Sequence, residues 1–261
     1  MDMKVILQEF VDGELIELDY ASPFDPFGVS EYEFMRYALT DLDGAKERKA
    51  DNLGSLGNAV TNAKRAMHCR IDRIFSFWGL AAVARSKRWD FPRKLDKLGE
   101  GGVVTPSLLR RLNAYRNKAE HEYEKPDMES VEDFVDTVLL FLEASEKYLQ
   151  MEISGISETG ASREIGNQES IEGRVIDRPP SPWLGAAREW VKLKVEREKA
   201  EIAIDYCLPG KDGRVEKAEI VIKAVDSLDD YLLALNAWNI ALLYDSYPGL
   251  LRLRYRHLAS E

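Results

Sequence analysis

The chain has 261 residues, is 45% hydrophobic and 31% charged, and carries a formal net charge of −10. That size suits one large domain or two ordinary ones, and the balance suits a water-compatible chain able to build a core. A uniformly basic nucleic-acid binder is excluded by the charge, and a bilayer-spanning helix by apolar runs as short as residues 138–142.

The N-terminus MDMKVILQEF lacks the pattern of a secretory signal. Cys69 and Cys207 lie in different segments without CxxC spacing or histidine partners, so no zinc site is expected. The expectation is a cytoplasmic protein with two reduced thiols, no metal and no cofactor. Charge is unevenly spread: residues 1–60 sum to −8, residues 61–125 to +8, residues 126–177 to −10, and residues 178–261 to zero. The basic block can collect phosphates; it can equally pair with the acidic blocks around it.

In chain order, VILQEFV and ELIELDY flank Asp12-Gly13 and predict a β-hairpin over 4–19. A Pro-punctuated loop follows over 21–28. A helix is expected from near Ser30 to before Asp43-Gly44, with Asp41 and Asp43 read as turn residues. Residues 52–79 carry Leu53, Leu56, Val60, Ala63, Met67, Ile71, Ile74, Phe75 and Trp78 at three- and four-residue spacing and predict a long amphipathic helix. A short helix is expected over 91–98, then a GEGG loop. Thr105 and Pro106 are an N-cap and first-turn pair opening a helix over 106–123. Pro126 stops it, and Asp127 caps another helix running to Leu149, with Glu129, Glu132 and Asp133 near its positive end.

Residues 153–182 are rich in Gly, Ser, Glu and Pro and predict a flexible linker. Beyond them the pattern predicts helix 183–199, strand 201–207, a PGKDG turn, strand 216–225 and helix 227–243, with Ser227 and Asp230 as a capping pair. The two strands can extend the N-terminal hairpin into one antiparallel sheet. The expected class is therefore α+β: hairpin and loop over 1–29, a helical bundle over 30–150, a linker over 151–182 and a small α+β unit over 183–261.

The segment YRNKAEHEY, residues 115–123, holds one of three histidines. Laid on a helix at 100° per residue, Leu108, Leu112, Tyr115, Ala119 and Tyr123 form the core face. His121 falls nearly opposite, facing solvent or another subunit. With 20 arginines and 3 histidines, any fixed Arg-to-His spacing arises by chance roughly 0.2 times, and Arg252 and His257 repeat the same spacing. Spacing alone is therefore weak; the polar Asn117 after Arg116 and the capped helix distinguish the first match. As a plain helix face, Arg116 would only pair with Glu120 at i+4.

RNKAEHEY resembles the signature of the HEPN superfamily, whose members are α-helical bundles carrying Arg-x4–6-His with a polar residue after the Arg. The tyrosine two places after the histidine resembles the form found in toxins of the HEPN/MNT toxin–antitoxin type. The resemblance covers roughly residues 50–150. It implies metal-independent endoribonuclease activity in a toxin, defence or stress system, with Arg116, Asn117 and His121 catalytic at a homodimer interface. Arg110, Arg111 and Lys118 would bind RNA. Tyr123 would be a modification site for a nucleotidyltransferase antitoxin, although its place on the core side makes packing its simplest role. The chemistry suits these side chains: RNA supplies a 2′-hydroxyl nucleophile, a histidine moves protons near neutrality and an arginine fork stabilises phosphate charge. Five residues separate Arg116 from His121, about 140° round a helix, so a two-fold partner would be needed to complete one groove. The alternative is a catalytically silent HEPN-like module that binds RNA, nucleotide or protein through the same basic face.

Overall fold

The computed structural model describes residues 1–20, 27–47, 53–103, 109–110, 127–158, 189–209 and 215–246. Its elements are α1 (Met3–Asp12), β1 (Glu14–Tyr20), α2 (Glu31–Glu47), α3 (Leu53–Phe77), α4 (Ala81–Ser86), α5 (Phe91–Glu100), α6 (Met128–Ser145), α7 (Lys147–Gln150), β2 (Met151–Glu158), β3 (Trp190–Glu196), β4 (Glu201–Pro209), β5 (Val215–Lys223) and α8 (Leu228–Ser246). The fold is a mixed α+β one. It divides into a helical unit, Tyr20–Met151, and a sheet unit made of Met1–Asp19 and Glu152–Glu261.

In the helical unit α2, α3 and α6 pack on one another. Ser30 and Glu33 start α2 as a reciprocal capping box: the Glu33 backbone N–H donates to Ser30 Oγ at 3.2 Å, and the Ser30 N–H donates to Glu33 Oε2 at 3.0 Å. Asp127 caps α6 by accepting from the Ser130 N–H at 2.9 Å. The apolar stripe of α3 is buried from Leu56 through Phe77. Trp78, at its end, is fully buried in edge contact with Phe75.

Four sequence expectations fail here. Residues 3–12 are helix, not half of a hairpin: Asp2 caps α1 by accepting from the Lys4 N–H, and Ile6, Leu7, Phe10 and Val11 are its buried face, a helical rather than alternating spacing. α2 runs through Asp41, Asp43 and Gly44 to Glu47. A Cβ on Gly44 would meet nothing within 4 Å among the described residues, and a glycine inside a helix costs about 1 kcal/mol that packing of α2 overrides. The expected linker contributes β2, which pairs antiparallel with β3, Ser157 opposite Val191. The expected helix over 183–199 contains β3 instead, because WVKLKVE alternates with period two and buries Val191 and Leu193.

The sheet has five strands in the order β1-β2-β3-β4-β5. Along β3 and β4 the register sets Val191 opposite Tyr206 and Leu193 opposite Ile204; these four are buried with Ile202, Leu208 and Ile222. The other face carries Lys192, Asp205 and Glu219 as a cross-strand charge row. Lys217 lies 5.8 Å over the Trp190 ring there. Helix α8 packs on α1, β4 and β5. It buries Tyr231, Leu232, Leu235, Trp238 and Leu242, and Trp238 stacks on Phe10 at 6.1 Å. An almost wholly apolar helix of this kind belongs inside a core.

Candidate functional site

Arg111, Arg116, Asn117, Lys118, His121 and Tyr123 lie outside the described residues. Arg110 is described: its guanidinium is half exposed and meets Asp96 of α5 at 2.6 Å. Its neighbour Leu109 is buried.

Two chemical constellations stand out in the helical unit. The first is a buried ionic network. Arg70 of α3 is fully buried. Its Nε lies 3.0 Å from Glu31 Oε1, and its Nη1 donates to Glu146 Oε2 at 2.7 Å. Its Nη2 donates to the Tyr32 hydroxyl at 2.9 Å, and that hydroxyl donates to Glu146 at 2.8 Å. Arg73 holds the second Glu31 oxygen at 3.0 Å. Burial alone would raise the Glu146 pKa, but the hydrogen bonds from Arg70 and Tyr32 hold it below its usual range. Burial, reinforced by the bond to Glu146, pushes the Tyr32 hydroxyl up. Cys69 beside this network is pushed to about 11 by burial and then by the Glu31 carboxylate, so its thiol stays protonated and inert. With each carboxylate matched to an arginine, this network joins α2, α3 and the junction of α6 and α7 rather than presenting a reactive group.

The second is a cleft of about 460 Å³ between α3, α4 and α5, lined by Phe27, Asp72, Phe75, Arg85, Arg88, Trp89 and Lys94 among others. Asp72 binds Lys94 at 2.5 Å. Among the described residues no carboxylate pairs with Arg85 or Arg88, and both side chains are exposed. Its local positive charge therefore survives that ion pair, and aromatic side chains form its walls. On the neighbouring surface His68 of α3 stacks on Phe91 of α5, with ring centroids 4.2 Å apart and planes nearly parallel. The sequence carries a signal for this cleft outside the RNKAEHEY motif. The run ARSKRWDFPRK interleaves five cations with two aromatics.

No helix among the described residues is long and apolar enough to cross a membrane. No family model, no curated protein and no solved structure matches this chain.

Proposed function

We propose that the chain is a metal-independent endoribonuclease of HEPN type that acts as a homodimer in a toxin, defence or stress role. The observation that carries this reading is the set Arg116, Asn117 and His121 within a block of net charge +8. A helical unit with a cationic cleft supports it. In this reading His121 takes the proton of the RNA 2′-hydroxyl, whose oxygen attacks the adjacent phosphorus. The bond from phosphorus to the 5′-oxygen breaks, and that oxygen leaves with a proton supplied from the partner's side of the dimer groove. Arg116 stabilises the extra phosphate charge, and Asn117 orients the imidazole. Arg110, Arg111 and Lys118 hold the RNA backbone, and adenylylation of Tyr123 by a nucleotidyltransferase antitoxin would block it.

The test is cleavage of single-stranded RNA by the full chain in the presence of a chelator. His121→Ala should abolish cleavage while the circular dichroism spectrum is unchanged; equal rates for wild type and variant would remove the enzyme reading.

One observation favours a second reading, a silent binding module. The cations of the cleft come from α4, the turn after it and α5, outside the motif. Under that reading the wild type binds RNA without cutting it, and Arg116→Ala weakens the binding.

A further inference from the structure

We propose that the cleft between α3, α4 and α5 is a binding site for a nucleoside phosphate. Arg88 and Arg85 hold the phosphoryl group, and the walls of Phe27, Phe75 and Trp89 take the base.

Three successive helices in this unit end in the same backbone motif. At the end of α3 the Leu80 N–H bonds the Phe75 carbonyl at 2.8 Å and the Gly79 N–H bonds that of Ser76 at 3.1 Å. At the end of α5 the Val103 N–H bonds Leu98 and the Gly102 N–H bonds Gly99. Both are Schellman caps with glycine in the left-handed position, at φ 73° for Gly79 and φ 92° for Gly102. The end of α4 repeats the pattern: the Trp89 N–H bonds Ala84 at 3.0 Å and the Arg88 N–H bonds Arg85 at 3.1 Å. Here the left-handed position is Arg88, at φ 50°. An L-residue with a long side chain is strained where its two neighbours in the fold use glycine. Folding does not require the arginine, since glycine would form the same cap with less strain. What the arginine adds is a guanidinium on the wall of the cleft.

Several features define the ligand. Two guanidinia without carboxylate partners among the described residues favour a phosphoryl group, which an arginine fork grips through paired N–H donors. Lys94, held by Asp72, adds a third cation already neutralised, so one dianion balances the site. Phe75 and Trp89 meet edge to face at 5.6 Å and present a rigid aromatic wall. Trp89 is buried and its indole N–H has no hydrogen-bond acceptor among the described residues, so a polar group reaching it would supply one. A volume of about 460 Å³ is in the range of small-ligand sites.

The chemistry is shared by a free nucleotide and by one unit of a single RNA strand. Titration calorimetry on the full chain with AMP, ATP, a short oligoadenylate and inorganic phosphate separates these sources. At least one adenylate should bind about tenfold or more tightly than phosphate. AMP or ATP binding above the oligoadenylate identifies a free nucleotide; the reverse order identifies a strand. Arg88→Gly should weaken adenylate binding about tenfold while raising the thermal midpoint by roughly 2–4 °C, because it relieves the left-handed strain. Arg85→Ala, at an exposed position, should weaken binding with the midpoint unchanged. The proposal is overturned if no adenylate binds more tightly than phosphate, or if both variants bind as the wild type does. It does not rest on cleavage: His121→Ala reads the nuclease, and Arg88→Gly reads the cleft.

Discussion

The helical unit and the sheet unit solve the same packing problem with different interiors. The sheet unit is apolar within: Ser157 and Asn239 are the buried polar residues among those described there. Its helix α8 is apolar on nearly every side, and Trp238 lies at its centre. The helical unit instead buries Glu31 and Arg70 completely, and adds Arg73, Tyr32 and Glu146 around them. An apolar core tolerates approximate packing so long as volume is kept. A buried ion network is sensitive to the loss of any member that leaves a buried charge short of its partner. The contrast teaches that α2, α3 and the junction of α6 and α7 are fixed in one arrangement by charge, whereas α8 and the sheet are held by area.

The largest expected effect is on the apolar side. Trp238→Ala should cost about 3–5 kcal/mol, read as a lower denaturant midpoint for the loss of sheet and α8 signal. Arg70→Met should cost about 3 kcal/mol in spite of its apolar side chain, because Glu31 stays buried with Arg73 alone. A stabilising Arg70→Met would show the two interiors to be equivalent. Gly101→Ala tests whether the helical unit is also tightly packed: a Cβ there would lie 2.6 Å from the buried Trp78 ring. The expected loss is about 2 kcal/mol, measured by thermal unfolding, and no loss would mean that Trp78 has room to move.

The smallest effect is the most diagnostic of the ionic interior. Glu146 has its pKa lowered in the fold from an ordinary value of 4.5. Its contribution is therefore fully present above that value and is lost as pH falls through the depressed folded value. Wild-type stability should fall over that acid window, and Glu146→Gln should flatten the slope there while leaving the neutral-pH slope unchanged. An identical acid slope in both proteins would remove Glu146 from the network's linkage to protons.

Much of the helical unit was legible because its signals are local. Asp127 is a cap read from a single residue, the start of α2 was placed near Ser30, and the three- and four-residue spacing from Leu56 to Trp78 marks α3 directly. The failures have physical reasons. In VILQEFV the β-favouring Val and Ile outweighed the helical spacing of Ile6, Phe10 and Val11, and Asp12-Gly13, taken for a hairpin turn, is where α1 ends. In WVKLKVE the period-two alternation was present, but it lay inside the segment expected as one helix over 183–199. The ionic network was illegible, since Glu31, Arg70 and Glu146 are joined only by the packing of three segments far apart in sequence. Arg88 lies within the visible cationic run ARSKRWDFPRK, but its left-handed backbone angle is one that no residue pattern displays. The motif residues Arg116, Asn117 and His121 lie outside the described residues, and their roles rest on sequence and chemistry.

The most direct measurement of the central claim is the chemical nature of the ends produced when the full chain cuts single-stranded RNA in a chelator. Attack by the 2′-hydroxyl predicts 2′,3′-cyclic phosphate and 5′-hydroxyl ends, and no cut at a site where that hydroxyl is replaced by hydrogen. Ends bearing a 5′-phosphate, undiminished cutting of the 2′-deoxy site, or no cleavage by the wild type at all would contradict the account.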